Sequence, residues 1–503
     1  YKYLQLRGGL DTETAPIELP GGWIRDAENF EVGVNGKYIR GIGYERFDGQ
    51  PKPSDAEALF VPVEFSQTVT VGQTVEGATS GETGVVVAVG DDYIATTKNT
   101  GEFDEGEDLE VSSVVVAEVV SITEIDTEYT PKLAAQLKFA AGEEYRSDID
   151  TVPGSGPVRG VWYLNGSWYA VRNVVGDTAA KVFRATASGW SEVDLGREIS
   201  FTSGGTTAIT EGDTITGATS AATATVERII ITSGTWAGGD AAGRLILSGQ
   251  TGTFQAEDLD VGGSTNLATI AGDSTAITLL PDGTFRTDRY NFTGSTETVR
   301  IYGCDGVNNG FEFDGSVWVP IETGMSTDAP NFVVAHKNHL FFAFVGSVQH
   351  SAIGNPYSWN PVLGANEIGV GDAVTGFNVE YGYEGGGTLA IFSRNSIHML
   401  YGSSTADWQL VKYRDEIGAY ADSVQNVGMT LSVDDRGVAN LQSSDAFGNF
   451  SHSTLTQHIK SWMQSKRNSV VGSCMVRDKN QYRVFFADDT ALYITMEGRK
   501  VIG

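Results

Sequence analysis

The sequence is poor in cysteine and in charged residues, and positive charge is especially scarce. Its two cysteines, Cys304 and Cys474, have no further cysteine or histidine at metal-ligand spacing, so we expect two buried free thiols. Only 34 lysines and arginines oppose 64 acids, which gives a net charge of −30 over 503 residues. Such a surface repels phosphates and anionic membranes. This disfavours a DNA-gripping face but suits a wall past which DNA slides.

Long apolar runs and a leader-like start are also missing. No stretch of about 18 apolar residues occurs, so we expect no membrane-spanning segment. The start at Tyr1-Lys2-Tyr3 lacks both the layout of a signal peptide and an initiator methionine. The chain stops at Gly503 just after a strand-like run, so we expect that both ends are trimmed.

Glycine, by contrast, is abundant. The 62 glycines, against 13 prolines, accompany a hydrophobic content of 40%. With many threonines, valines and aromatic residues, this composition is typical of short strands joined by tight turns. Helical periodicity is nearly absent, and only residues 131–137 and 456–466 are predicted to be helical. The sequence therefore predicts an all-β protein.

Two decapeptides in the sequence resemble each other, one over residues 71–80 and one over 211–220. Each contains Gly-Ala-Thr-Ser, continues into a region rich in valine or isoleucine, and closes with a similar Gly-x-Phe to Leu-acid-Val pattern, so each copy spans about 40 to 50 residues. We expect the glycine of this tetrapeptide to supply left-handed backbone angles in a tight turn. The repeat predicts two small β-barrel-like modules, at 65–125 and 200–275, inserted as contact or spacer modules.

The remaining sequence repeats hairpins of short strands with an aromatic residue near the end. The clearest are those over 161–171, 332–344, 388–401 and 473–486. Their spacing of about 50 to 80 residues suits propeller blades of three or four strands, because each blade needs a neighbour to bury its faces. We predict a β-propeller-like central domain, with an arm and first propeller strands over 1–64 and blades over 126–199 and 276–503. A chain of β-sandwiches is the alternative.

Catalytic and metal-binding motifs are weak or absent. The sequence has no phosphate loop and no GxSxG elbow. His336 and His339 flank a turn, but no cysteine or carboxylate lies at ligand spacing, so we expect ordinary strand histidines rather than a zinc site. The acidic run over 102–108 lacks the alternating aspartates of a calcium loop. We predict no catalytic, cofactor-binding or metal-binding residues.

The one basic cluster, at Lys460, Lys466 and Arg467 around Trp462, is expected to be a surface helix rather than a nucleic-acid platform.

Carboxylates provide the serious rival interpretation. Propeller glycosidases place an Asp/Glu pair in the central pocket, and four acids are candidates: Asp305, Asp314, Glu380 and Asp415. With 64 acids, however, some pairs will be close by chance. A sialidase-type Asp box is absent, and residues 444–449 only half match it.

The first fifty residues resemble a known family. They contain Gly8-Gly9-Leu10-Asp11, then Leu19-Pro20-Gly21-Gly22, Ala27-Glu28-Asn29-Phe30-Glu31-Val32, and finally Gly43-Tyr44-Glu45-Arg46-Phe47-Asp48-Gly49. This series resembles the opening of podophage tail nozzle proteins of the tail tubular protein B type. The stretch 334–359, with its Ser-Ala-Ile-Gly-Asn-Pro-Tyr-Ser-Trp run, is also similar to phage proteins, although His339 replaces the usual arginine. The resemblance covers 1–50 and 275–503.

The resemblance implies a structural virion protein of the phage tail and no enzyme. In that family the subunit bears a propeller and forms a hexameric ring below the portal adaptor ring. The ring extends the DNA channel, helps retain DNA, conducts it during ejection without sequence-specific binding, and contacts tail fibres or spikes. We further expect the N-terminal arm to supply a strand that closes the propeller. The alternatives are a polysaccharide-degrading tail enzyme and a receptor-binding or fibre-anchoring adhesin that uses the two inserts.

Overall fold

The chain is nearly all β. Strands make up 48% of it and helices 9%, which confirms the predicted fold class. The computed structural model describes residues 8–33, 37–40, 46, 48–121, 131–202, 205–295, 298–380, 387–443, 450–498, 500–501 and 503.

Two small strand pairs form the N-terminal arm. Strand β1 (Gly9–Leu10) pairs in parallel with β2 (Trp23–Ile24), and β3 (Phe30–Val32) pairs antiparallel with β4 (Tyr38–Arg40). A short 3-10 turn follows at Pro53–Asp55.

Barrel 1 comes next. Its six strands are β5 (Leu59–Phe65), β6 (Thr74–Gly77), β7 (Thr83–Val89), β8 (Tyr93–Thr97), β9 (Asp108–Val111) and β10 (Val114–Val119). They close in the order β10-β5-β8-β7-β6-β9 around fully buried Val61, Val75 and Val86. The barrel thus begins at Leu59. The alternating apolar run that we assigned to the end of segment 1–64 packs inside this barrel, because its valines complete the barrel core.

Helix α1 (Pro131–Ser147) separates barrel 1 from sheet 1. The four strands of sheet 1 are β11 (Ser155–Leu164), β12 (Ser167–Asn173), β13 (Ala180–Thr186) and β14 (Gly189–Glu192). The first hairpin turns at Asn165 and Gly166, whose φ values of 49° and 82° are those of the predicted two-residue turn.

Barrel 2 has the same topology as barrel 1. Its strands are β15 (Arg197–Thr202), β16 (Thr214–Gly217), β17 (Thr223–Ser233), β18 (Ala242–Thr251), β19 (Ala256–Val261) and β20 (Ser264–Ala271), followed by β21 (Thr275–Ala276). Pairing of β15 with both β18 and β20 closes the barrel. Both predicted β-barrel-like modules are therefore confirmed.

Five further four-stranded antiparallel sheets complete the described chain. Sheet 2 has β22 (Arg286–Tyr290), β23 (Arg300–Cys304), β24 (Gly310–Phe313) and β25 (Trp318–Ile321). Sheet 3 has β26 (Phe332–His336), β27 (His339–Phe344), β28 (Ser347–His350) and β29 (Asn366–Gly369). Sheet 4 has β30 (Val374–Glu380), β31 (Thr388–Ser393), β32 (Ser396–Tyr401) and β33 (Gln409–Asp415).

Sheet 5 has β34 (Gln425–Asn426), β35 (Thr430–Asp434), β36 (Gly437–Ser443) and β37 (Phe450–Thr454). After a 3-10 turn at Gln457–Ile459 and helix α2 (Lys460–Lys466), sheet 6 has β38 (Val470–Val476), β39 (Gln481–Phe486), β40 (Ala491–Glu497) and β41 (Lys500–Val501). Both predicted helical segments are thus helical, and α1 extends ten residues beyond its predicted end.

Consecutive sheets pack face to face in chain order, as propeller blades do. Each interface has its own apolar cluster, for example Trp162 with Trp318 between sheets 1 and 2, and Val433 with Tyr482 between sheets 5 and 6. Three further clusters join sheets 2 to 3, 3 to 4 and 4 to 5. The alternation of apolar residues on both faces of each strand makes this stacking necessary, because an isolated blade would leave one face exposed.

The described residues of the arm do not supply the closing strand that we expected. Sheet 6 takes its fourth strand, β41, from the C-terminal end of the chain, and β3 and β4 pair only with each other among the described residues. The arm lies instead against sheet faces, as described next.

Candidate functional site

The N-terminal arm contacts the sixth sheet. The Glu31 side chain, 5% exposed, accepts hydrogen bonds from Lys479 and from Arg483 Nη2, the latter at 3.0 Å. The Val32 carbonyl accepts hydrogen bonds from Thr495 Oγ1 at 2.6 Å and from Gln481 Nε2 at 3.3 Å. Strand β3 is therefore bound to the side of sheet 6 that faces away from sheet 5.

The start of the arm is held near helix α2. Asp11, 1% exposed, accepts hydrogen bonds from Thr14 and from the backbone of Glu13, and its Oδ2 lies 3.1 Å from His458 Nδ1. The backbone amide of Thr14 is the main cause that lowers the pKa of Asp11, to about 2. Asp11 therefore stays ionised and keeps this loop folded.

The end of the arm contacts the end of α1 and the loop that precedes sheet 1 through a buried ion pair. Arg46 and Asp48, 4% and 1% exposed, form a bidentate pair at 2.6 and 2.8 Å. Arg46 also donates to the carbonyls of Tyr145 and Asp148, which end α1. Asp48 accepts from the backbone of Asp150 at 2.8 Å. Burial opposes ionisation of Asp48, but these hydrogen bonds prevail and lower its pKa.

A tight backbone approach completes this contact. A Cβ on Gly49, whose φ is 84°, would overlap the carbonyl oxygen of Thr186 at the end of β13. One segment, residues 8–33 with 46–50, thus binds sheet 6 at one end and the sheet 1 region at the other. We call it the N-terminal clasp.

Both barrels also contain a buried glutamate that holds the Gly-Ala-Thr-Ser turn through hydrogen bonds. Glu257 accepts hydrogen bonds from the amides of Thr219, Ser220 and Gln255 and from Ser220 Oγ, at 2.6 to 2.9 Å. Burial opposes its ionisation, yet the hydrogen bonds prevail and lower the pKa of Glu257 to about 2. The sequence signal was present, since an acid-Asp-Leu tripeptide closes both repeats.

Barrel 1 has the same arrangement. Glu107 accepts from the amides of Thr79, Ser80 and Asp104 and from Ser80 Oγ, and although burial opposes it, these bonds lower its pKa. Glu107 belongs to the acidic run over 102–108, so this run supplies the carboxylate that holds the turn.

The role predicted for the turn glycine is wrong in one respect. Neither Gly77 nor Gly217 has a positive φ; a Cβ on either would instead overlap the serine hydroxyl and the clasping carboxylate. The left-handed residue comes four positions later, as Gly81 with φ of 71° and Ala221 with φ of 57°. The glycine is needed for close approach rather than for its backbone angle.

Barrel 2 is anchored to sheet 2 by buried charges. Arg228 on β17 pairs with Asp314 at 2.7 Å, Glu312 at 3.5 Å and Glu211 at 3.0 Å. Burial would lower the pKa of Arg228, but the three carboxylates and a tyrosine raise it. Ile230, Ile246 and Val319 form an apolar cluster beside this network.

Barrel 1 is anchored differently. The corresponding side of barrel 1 packs through Phe60, Val87 and Ala95 on Leu137 of α1. Lys98 adds partly exposed ion pairs to Glu144, at 3.0 Å, and to Asp148. Helix α1 in turn receives the Arg46 hydrogen bonds of the clasp.

His336, His339 and His350 occupy strand positions in sheet 3. His336 and His339 are opposite each other across the turn at Lys337 and Asn338. His339 and His350 both direct Nδ1 at the Ser351 carbonyl, at 2.7 and 3.0 Å, and pack on Trp408. Burial lowers the pKa of His336 and of His350 to about 4.

The four candidate glycosidase carboxylates lie at separate places in the fold. Asp305 caps its own turn through Val307 and Asn308, Asp314 pairs with Arg228, and buried Glu380 accepts from Thr430 and Asn378. Asp415 forms an ion pair with Lys412 at the end of β33.

One cavity accompanies Asp415. It has a volume of about 390 Å³ and is lined by Asp372, Asp415, Glu416, Ser396 and Lys412, among others. Ser396 is 4% exposed, and its hydroxyl has no hydrogen-bond partner within the described structure.

The basic cluster around Trp462 and the two cysteines, which the sequence also singled out, pack against neighbouring side chains. Trp462 on α2 packs edge-on against Phe486, and Lys466 pairs with Asp488. Cys304 is buried as expected, whereas Cys474 on β38 is only partly buried. Over the described residues, no group of three histidines, cysteines or acids is arranged to hold a metal ion. No helix in the described ranges is long and apolar enough to cross a membrane.

Comparisons with known proteins return low similarity. No protein-family model and no curated protein matches the sequence. Among solved structures, PorZ, a surface component of the type-IX secretion system of Porphyromonas gingivalis, shares 9% identity over 89% of this chain and 82% of its own, with a TM-score of 0.30. BBS1N, solved in complex with ARL6DN, shares 9% identity over 59% of this chain and 94% of its own, with a TM-score of 0.23.

A Bacteroides thetaiotaomicron protein of unknown function shares 9% identity over 68% of this chain and 99% of its own, with a TM-score of 0.28. TM-scores this low give no basis for transferring a function from any of the three proteins.

Proposed function

We propose that this chain is a structural subunit of a short-tailed phage tail, forming the nozzle ring that extends the DNA channel. The observation that carries the proposal is the N-terminal clasp. The segment with the strongest resemblance to nozzle proteins is the segment that binds the first and last parts of the propeller-like domain together. Its motif residues Asp11, Glu31, Arg46 and Asp48 are all at most 5% exposed and all make polar contacts.

Buried charges of this kind favour a mechanical role for the motif. Removing one partner of a buried ion pair costs about 3–5 kcal/mol, so a motif such as Arg46-x-Asp48 holds the fold in one closed arrangement. A ring through which DNA is pushed needs subunits that do not open under load. The clasp supports such a subunit.

The charge balance supports the same function. A net charge of −30 lets a passing duplex avoid adsorption to the channel wall. In this proposal the chain forms a homo-hexamer in the virion tail, below the portal adaptor ring. It contacts tail fibres or spikes and helps retain DNA before ejection.

A second candidate function, a polysaccharide-degrading tail enzyme, is favoured by the cavity beside Asp415. Asp372, Asp415 and Glu416 line it together, which is the residue type that glycoside hydrolysis uses. Three of the four carboxylates first considered for this role instead make structural contacts elsewhere, so we rank this function second.

Negative-stain imaging of the purified full chain tests the first proposal. We expect six-fold annular particles, and antibody labelling of virions should place the chain at the tail tip. Monomers at every concentration tested would contradict the nozzle function. Release of reducing sugar from host capsule, lost in Asp415→Asn and retained in the exposed control Asp478→Asn, would establish the second candidate instead.

A further inference from the structure

Barrel 1 exposes valines at one of its ends. Ala117 pairs with Phe65, Val63 donates its amide to Asp92, and Ser66 and Gln67 donate side-chain hydrogen bonds to the Val115 carbonyl. These contacts bring the loop 66–73, the hairpin tip 90–92 and the turn 112–113 to the same end. The opposite end carries the clasped turn.

Four valines at this end are exposed to solvent. The exposed fractions are 62% for Val71, 38% for Val89, 47% for Val114 and 36% for Val115. We call this set the valine end. Single exposed apolar residues are ordinary on protein surfaces, whereas several at one site commonly mark an interaction surface.

Barrel 2 provides an internal control for these positions. Gly72 and Gly212 donate to equivalent valine carbonyls, which aligns Val71 with Glu211. The pairs Val111–Val114 and Val261–Ser264 across the hairpin turn align Val114 with Ser264, and the next residue Val115 with Thr265. At three exposed positions, barrel 1 therefore has valine where barrel 2 has a polar residue.

The barrel fold therefore does not require valine at these places. The two barrels share their core and the glutamate that holds the Gly-Ala-Thr-Ser turn, and they differ at this end. A function other than folding best explains why barrel 1 keeps an apolar surface there.

Charge indicates the partner. Residues 59–119 of barrel 1 contain one lysine and twelve acids, a net charge of −11, whereas residues 197–276 of barrel 2 have a net charge of −6 from three arginines and nine acids. The C-terminal region 457–503 is the reverse, with eight lysines and arginines against four acids, a net charge of +4. Lys460, Arg477 and Lys500 are exposed there, and the ion pairs among described residues do not include them.

The C-terminal region also presents apolar residues. Val471 on β38 is 57% exposed and Val501 on β41 is 40% exposed. These valines lie on the two edge strands of sheet 6, so each is a separate apolar point on the more basic region. Because the two surfaces differ and lie on one chain, pairing between copies is head-to-tail, which produces a ring when the rotation between copies closes and an open filament when it does not.

We infer that the valine end of barrel 1 docks on the C-terminal region 457–503 of a second copy of this chain. This inference rests on the proposed ring-forming function and specifies its subunit contact. The valines supply the desolvated centre, and the acids of barrel 1 steer and orient the basic surface.

The test transplants the residues of barrel 2 into barrel 1. Val71→Glu, Val114→Ser and Val115→Thr are combined, and the oligomers of the full chain are weighed by mass photometry. We expect association at least about tenfold weaker than in the unmodified chain. Val362→Glu, at a 90% exposed valine in the 3-10 turn Pro361–Leu363 between β28 and β29, is the matched control and should assemble normally.

A second variant tests the same contact from the other surface, so the inference stays testable if the first variant does not fold. Lys460→Glu, Arg477→Glu and Lys500→Glu should weaken association by a similar factor, and thermal unfolding of each variant confirms that it is folded. Zero-length carbodiimide cross-linking of mixed heavy- and light-isotope chains should join Asp91, Asp92 or Glu110 of one copy to Lys460 or Lys500 of another.

The outcomes separate the two proposals. If the unmodified chain forms rings and both variants form them equally well, the inferred contact is wrong and the nozzle function stands. If rings form but cross-links join other regions, the contact is likewise wrong. If the unmodified chain forms no ring, the proposed function and this inference both fail.

Discussion

The two barrels share a fold and a clasping glutamate, but they are attached to the molecule in different ways. Barrel 2 is fixed to sheet 2 by Arg228 among three carboxylates and by an apolar cluster. Barrel 1 rests on helix α1 through Phe60 and its neighbours, with a partly exposed Lys98 at the edge.

The differences between the barrels show which residues the barrel fold requires and which residues attach each barrel to its neighbours. Glu107 and Glu257 are kept because each satisfies the same turn, so they define the module. Arg228 in barrel 2 aligns with Ala88 in barrel 1, so the anchoring charge belongs to the site and not to the module. Barrel 2 is thus attached to the sheets by buried charges, and barrel 1 is attached through helix α1.

The largest expected effect is loss of the barrel 2 anchor. Arg228→Ala leaves the buried carboxylate of Glu312 with fewer partners and should lower the free energy of unfolding by about 3–5 kcal/mol. Lys98→Ala, the barrel 1 counterpart, should cost no more than about 1 kcal/mol, because its ion pairs are partly solvated. Urea unfolding measures both, and equal effects would contradict the different attachments.

Mild acid should distinguish the sheets from the barrels, because no histidine lies in either barrel. The pKa of His350 is lowered from 6.5 to about 4 by burial, so the folded state takes up its proton later than the unfolded state does. Stability should fall as pH drops from 6.5 to about 4, by about 3 kcal/mol for this histidine.

The probe for this acid effect is the fluorescence of Trp408, which packs on His350. His350→Phe should remove most of that histidine's share of the slope. An unchanged pH dependence in this variant would contradict the assignment, and Val362→Glu serves as the control.

The glutamates that hold the Gly-Ala-Thr-Ser turns should lose their stabilising effect only in stronger acid. The pKa of Glu257 lies near 2 instead of 4.5, so its stabilising effect is present above about pH 4.5 and is lost as pH falls towards 2. Glu257→Gln should cost about 2 kcal/mol at neutral pH, and Glu107→Gln a similar amount, because the same amides lose a charged acceptor. Glu102→Gln is the matched control, and thermal unfolding is the measurement.

The smallest expected effect compares equivalent turn residues. Ala221 adopts a φ of 57°, whereas barrel 1 has Gly81 there. Ala221→Gly should stabilise barrel 2 by about 0.5–1 kcal/mol, and Gly81→Ala should destabilise barrel 1 by about 1 kcal/mol. Two changes of the same sign would show that the turns are not equivalent.

The sequence predicted the modules and the stacked sheets because both depend on local pattern. Alternating apolar residues and turns such as Asn165-Gly166 define each hairpin within a few residues. The repeated Gly-Ala-Thr-Ser located both barrels. It did not reveal that Gly77 makes room for Glu107, because that glutamate lies 30 residues further along the chain.

Contacts distant in sequence could not be predicted. Glu31 meets Arg483, and Arg46 meets the end of α1, only once the sheets have stacked. For the same reason the sequence did not show that β41, and not the described part of the arm, completes sheet 6. The four carboxylates considered for catalysis were chosen by residue type alone, because the sequence does not show which of them lie close together.

Hydrogen exchange tests the clasp most directly, comparing the unmodified chain with the Asp48→Ala and Glu31→Ala variants. Asp48→Ala should raise exchange in β13 and β14 of sheet 1, and Glu31→Ala should raise it in β39 and β40 of sheet 6, while sheets 3 and 4 keep their protection. Unchanged exchange at both ends in both variants would contradict the claim that the N-terminal segment binds the first and last sheets together.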